Sequence, residues 1–139
     1  MSSLRKTVIL VSIFFLLIYL IELVIPTFFV AFVEEFFGRL LPFIIVYYTY
    51  RATSGEATVV GVTAGITFGV LEMFVKIMAL NGFSVLMLVP ILAVHIPNSV
   101  MQSLVVNFGY KNKAYVLIPV IYIIAVFWHW LYNAYLYVV

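Results

Sequence analysis

The sequence predicts an all-α integral membrane protein: one bundle of about five transmembrane helices, with its N-terminus in the cytoplasm and its C-terminus outside. Three observations predict it. Hydrophobic residues make up 67% of the chain and charged residues only 9%, whereas a soluble domain carries about 25% charged residues. The apolar stretches reach the ~20 residues a helix needs to cross a bilayer. The cations near the ends of those stretches gather in alternate connections, as in a chain that crosses a membrane repeatedly.

The helices are expected over 7–25, 28–50, 57–80, 83–107 and 114–138. The first, Val8 to Val24, follows Arg5-Lys6. It is too long for the apolar part of a signal peptide and has no small-residue cleavage site before Pro26, so it reads as a span. Pro26 separates it from the second helix, and Thr53-Ser54-Gly55 separates the second from the third. Asn81-Gly82 and the stretch from Gly109 to Lys113 punctuate the rest. With a cytoplasmic N-terminus, Arg5, Lys6, Arg51, Lys111 and Lys113 all fall on the cytoplasmic side, while Pro26-Thr27 and Asn81-Gly82 outside carry no charge. No linker or low-complexity tract interrupts the chain, which reads as a single domain over 1–139.

Composition also excludes chemistries. No basic stripe is present of the kind nucleic acid requires. Cysteine is absent, which removes disulfides, thiolate metal sites and cysteine nucleophiles. Every acid is a glutamate, so an aspartyl intramembrane protease is excluded. No Gly-x-Ser-Gly, His-Glu-x-x-His, P-loop or dinucleotide glycine turn occurs.

Against this background, Glu34, Glu35, Arg39, Glu72, His95 and His129 interrupt runs that otherwise read as spans. An ionisable side chain at a bilayer centre costs about 2.5–3.5 kcal/mol on insertion scales, so such residues mark an interior site by default. At ~1.5 Å per residue, Glu34 and Glu35 lie ~10 Å below the outer edge, Glu72 ~12 Å, His129 ~15 Å and His95 ~18 Å. Four helices thus bring ionisable groups to nearly one level, in the outer half of the membrane.

Glu35 and Arg39 stand one helical turn apart and can pair, while Glu34 points about 100° away. Two adjacent carboxylates in a low dielectric do not both ionise readily, which suits one of them to general acid or base work. The plainer alternative is a structural Glu–Arg pair. Gly61, Gly65 and Gly69 repeat every four residues and continue to Glu72 along nearly one face, which predicts close helix packing with Glu72 at the interface. Glu72 can pair with Lys76 at i+4; the expectation is that Lys76 snorkels outward and leaves Glu72 free as a ligand. His95, Asn98 or Ser99, and Gln102 form a polar stripe that lines either a wet cavity or another polar helix. Pro97 is expected to bend that helix and to free a carbonyl for other bonding. His129 and Asn133 share a face, so Asn133 is placed to orient the imidazole or to donate to a developing oxyanion. Glu72, His95 and His129 make a His2Glu set, the ligand combination of several hydrolytic zinc sites. The proton of a zinc-bound water would pass to Glu34 or Glu35.

Taken in order, Glu34-Glu35-x-x-x-Arg39, Phe68-x-x-x-Glu72, His95 and His129-x-x-x-Asn133 resemble the signature of the intramembrane proteases of the CAAX prenyl endopeptidase and PrsW superfamily. Glu72 at the second motif looks more like the PrsW branch and Arg39 more like the CAAX branch. The resemblance covers the second to fifth helices. It implies an intramembrane endopeptidase acting on a membrane-embedded or lipidated peptide or protein. Glu34 and Glu35 would activate water, Glu72, His95 and His129 would hold a divalent metal (zinc above others) or the water itself, and Asn133 would steady the oxyanion. A prokaryotic plasma membrane suits so compact a chain. Two other readings stand beside this one: a non-catalytic scaffold or binding subunit of the same superfamily, and a small ion or proton transporter built on a Glu–His relay.

Overall fold

The computed structural model describes residues 2–22, 24, 26–49 and 52–136. Arg51, counted above among the cytoplasmic charges, lies outside the described residues, as do the helix ends expected at 25, 50 and 138. The described residues form helices and turns, with no strand among them. Helix α1 covers Ser3–Glu22. A second rod is continuous from α2 (Thr27–Glu35) through a π-helical turn (Phe36–Leu40) into α3 (Leu41–Thr49). α4 covers Ser54–Leu80. A fourth rod begins with a 3-10 turn at Val85–Leu88, widens into a π-helical turn at Ile91–His95 and continues as α5 (Ile96–Asn112); α6 covers Leu117–Leu136.

The all-helical membrane architecture therefore stands. Four stretches, Ser3–Ile21, Ser54–Met78, Val85–Asn112 and Leu117–Ala134, are long and apolar enough to cross a membrane. The rod running from α2 to α3 carries Glu34, Glu35 and Arg39, and these charges set it apart from the other four. The starts of α1 and α4 lie side by side, with Ser2, Ser3 and Lys6 facing Gly55, Glu56 and Val59 across a cleft of about 430 Å³. Alternating spans require those two ends to share a side of the membrane.

Local chemistry explains most boundaries. α4 begins earlier than position 57 because Thr53 and Glu56 form a capping box, each side chain bonding the other's backbone N–H. It ends at Asn81, whose left-handed φ of 52° closes the turn expected there. The turn expected from Gly109 to Lys113 is corrected: α5 runs to Asn112, and Lys113 at φ 57° is the residue that terminates it. Gly109 serves proximity instead, since a Cβ there would lie 3.3 Å from the Ala114 carbonyl oxygen.

Between apolar helices in lipid, packing contact rather than water exclusion drives association, and small residues permit it. α4 and α5 make the most extensive contact in the bundle. A Cβ on Gly61 would sit 2.6 Å from Val100 Cα, and one on Gly65 would sit 2.6 Å from the His95 carbonyl oxygen. The glycine stripe thus packs internally, as its spacing predicts. Phe15 of α1 meets Phe68 of α4 edge to face at 5.2 Å, within a core that also holds Val11, Phe43, Val46 and Val60.

Both π-helical turns end two residues before a proline, at Leu40 before Pro42 and at His95 before Pro97. A helical proline ring clashes with the carbonyl four residues back. Widening the preceding turn moves that carbonyl aside, and the amides of Leu41 and Ile96 reach back five residues, to Phe36 and Ile91. Pro97 frees the Ala93 carbonyl as expected, and Trp128 of α6 takes it, with Nε1 donating over 3.1 Å.

Candidate functional site

The two widened turns carry Arg39 and His95 to the middle of the bundle, where the glycine stripe of α4 and the start of α5 leave room only for close contacts. Glu34, Glu35, Arg39, His95 and His129 are all buried, and Glu72 is half-buried with its side chain 20% exposed. These six residues, five of them expected at one level and Arg39 expected as the partner of Glu35, meet in one cluster.

Glu35 is its anchor. Its Oε1 accepts from Arg39 Nη1 at 2.5 Å, from His129 Nδ1 at 2.8 Å and from Asn98 Nδ2 at 3.0 Å. Its Oε2 accepts from Gln102 Nε2 at 2.6 Å. A carboxylate offers about four lone-pair positions, so Glu35 is saturated as an acceptor. A fully buried charge is tolerable only when paired and hydrogen-bonded in this way.

Arg39 fans out across the cluster. Besides Glu35, its Nε donates to Ser99 Oγ at 3.1 Å, its Nη2 bonds His95 Nδ1, and its guanidinium lies 4.7 Å from the centre of the Phe68 ring. An arginine can only donate, so His95 Nδ1 is the bare ring nitrogen and Nε2 carries the hydrogen. That hydrogen points to Glu72 Oε2 at 2.5 Å. Lys76 bonds the other Glu72 oxygen. The expectation that Lys76 snorkels away is thereby corrected: with Glu72 anchored on His95, the i+4 ammonium gains a fixed carboxylate within reach.

His129 stands between the two adjacent glutamates. Its Nδ1 faces Glu35 at 2.8 Å and its Nε2 lies 3.1 Å from Glu34 Oε2. The ~100° between Glu34 and Glu35 on their helix is what lets one imidazole reach both. A neutral imidazole has a single N–H. With Nδ1 given to Glu35, Nε2 is the ring nitrogen that faces Glu34. The His95 and His129 rings lie nearly perpendicular, with centres 5.7 Å apart.

Asn133 lies one turn beyond His129 and is half-buried, and it is not hydrogen-bonded into the cluster among the described residues. Asn98, Ser99 and Gln102 were visible in the sequence as a polar stripe but not as partners of particular groups. Here they line a polar helix rather than standing alone: each bonds Glu35 or Arg39 of the neighbouring rod.

Glu72, His95 and His129 have the donor chemistry of a zinc site, but their arrangement does not fit one. His95 Nδ1 is turned to Arg39 and Nε2 to Glu72, His129 is held between two glutamates, and Lys76 covers Glu72. Among the described residues no group of three or more His and Glu side chains is arranged to hold a metal ion. Comparison with protein-family models, with curated proteins and with solved structures finds no match.

Proposed function

We propose that the chain is an intramembrane endopeptidase that hydrolyses a peptide bond in or near a membrane-embedded or lipidated substrate, in a prokaryotic plasma membrane. The observation that carries this reading is the Glu34–His129–Glu35 arrangement, in which one buried imidazole bridges two glutamates. Glu35, saturated by four donors, is the orienting anion: it fixes the His129 ring and neutralises Arg39. Glu34 and His129 Nε2 share the mobile proton. As water oxygen attacks the substrate carbonyl carbon, this pair takes the water's proton and delivers one to the departing amine, so the pair ends as it began. Asn133, one turn from His129, is the proposed donor to the developing oxyanion. No step is routed through a metal.

The second reading, a non-catalytic scaffold or binding subunit, is favoured by the saturation of Glu35 and by the mutual pairing of the cluster. Proteoliposomes holding the purified protein and a library of transmembrane peptides in H2(18)O separate the two. A protease releases fragments whose new C-terminal carboxylates carry the heavy oxygen. Intact peptides throughout would overturn the proposal, and proton flux in the same vesicles would favour a transporter.

A further inference from the structure

The cleft of about 430 Å³ between the starts of α1 and α4 opens at one end of two spans. Pockets that hold small ligands begin at about 300 Å³. Thr7 and Ala57, next in sequence to its charged residues, are fully buried, so the two helices close directly beneath it. Its walls differ in charge. On the α1 side stand the Ser2 and Ser3 hydroxyls and Lys6, whose ammonium meets no partner among the described residues. Ser2 Oγ accepts from the Arg5 amide, which leaves its O–H to donate. On the α4 side stands Glu56. Its Oε2 accepts from the Thr53 N–H in the capping box, and a carboxylate with about four lone-pair positions keeps further acceptors for a ligand. Leu4 and Val59, both exposed, add apolar surface to the lining.

A cation with hydroxyls on one wall, a carboxylate on the other and apolar side chains beside them complement a ligand that carries phosphate, ammonium and hydrocarbon together. We propose that the cleft holds the headgroup of a phosphatidylethanolamine-type phospholipid, in which two carbons join a phosphate to a primary ammonium. The phosphate accepts from Lys6 and the serine hydroxyls, and the ammonium donates to Glu56. Position favours a lipid over a soluble molecule. The cleft lies where two spans begin, at the level of the headgroups, and Val59 lies three residues deeper than Glu56, ~4.5 Å along α4, where hydrocarbon starts. Charge then selects among lipids. A purely anionic headgroup gains Lys6 but is set against Glu56, and the quaternary ammonium of phosphatidylcholine brings no N–H to the carboxylate.

Native mass spectrometry tests this on the full chain in detergent with equal amounts of phosphatidylethanolamine, phosphatidylglycerol and phosphatidylcholine of identical acyl chains. The wild type is expected to retain the ethanolamine lipid above the other two by about two- to five-fold, the scale of one partly exposed ion pair. Glu56→Gln keeps the capping box, because glutamine caps as glutamate does, and is expected to abolish that excess. Lys6→Gln is expected to lower retention of both phosphatidylethanolamine and phosphatidylglycerol. Equal retention of the three lipids by the wild type, or an excess unchanged in Glu56→Gln or Lys6→Gln, would overturn the proposal. Free phosphoethanolamine at the concentration of the lipid is expected to displace none of it; displacement would assign the cleft to a soluble ligand and overturn the lipid. Retention does not depend on hydrolysis, so the lipid site and the proposed function fail independently.

Discussion

Trp128 of α6 donates its indole N–H to the Ala93 carbonyl, the oxygen that Pro97 leaves without its helical partner. The bond joins the outward-facing side of α6 to the widened turn that carries His95, so a lipid-side residue supports the interior cluster.

Trp128→Phe keeps an aromatic ring and removes the donor. The expected loss is about 1 kcal/mol of stability, with the unpaired carbonyl adding to it. Thermal unfolding in a fixed detergent checks this; an unchanged midpoint would mean the bond contributes nothing.

Gly65→Ala is expected to destabilise by about 1–3 kcal/mol, as overpacking of a tight core does. The new methyl would meet the His95 backbone, which cannot swing aside as a flexible side chain would. Gly55→Ala is the control, because a Cβ there meets nothing within 4 Å. Equal unfolding midpoints for the two variants would contradict the close α4–α5 contact.

Arg39→Met strands Glu35 as a buried charge without its counter-ion, a change that costs about 3–5 kcal/mol in comparable settings. Arg39→Lys is not expected to rescue it, since one ammonium cannot serve Glu35, Ser99 and His95 from three separate nitrogens. The double variant Glu35→Gln/Arg39→Met is expected to be more stable than the sum of the two single losses predicts. Strict additivity would show that the two residues are not coupled.

Metal removal tests the donor arrangement. With His95, His129 and Glu72 engaged by protein groups, dialysis against a chelator is expected to leave the unfolding midpoint and any cleavage rate unchanged. A fall restored by zinc, and abolished in His95→Ala, would show that these side chains leave their partners to hold an ion.

Much of this arrangement was legible because lipid is an unforgiving solvent. Charges at matched depth on separate helices had to converge, glycines at four-residue spacing had to meet another backbone, and Pro97 had to release a carbonyl. Partner choice was not legible. Whether Lys76 turns outward or onto Glu72 depends on His95 already fixing that carboxylate, which no local pattern records. The wrapping of Asn98 and Gln102 around Glu35 depends on helix rotation, and each π-helical turn inserts a residue that resets the rotation of everything after it. Gly109 misled for a related reason: its role is contact with the following segment rather than a break in the helix.

The most direct test of the account compares Glu34→Gln with wild type on a cleaved transmembrane peptide, with folding of both confirmed by unfolding midpoint. The cleavage rate constant is expected to fall about 10²–10⁴-fold, the scale of a lost general base or acid. Cleavage by Glu34→Gln at the wild-type rate would contradict it.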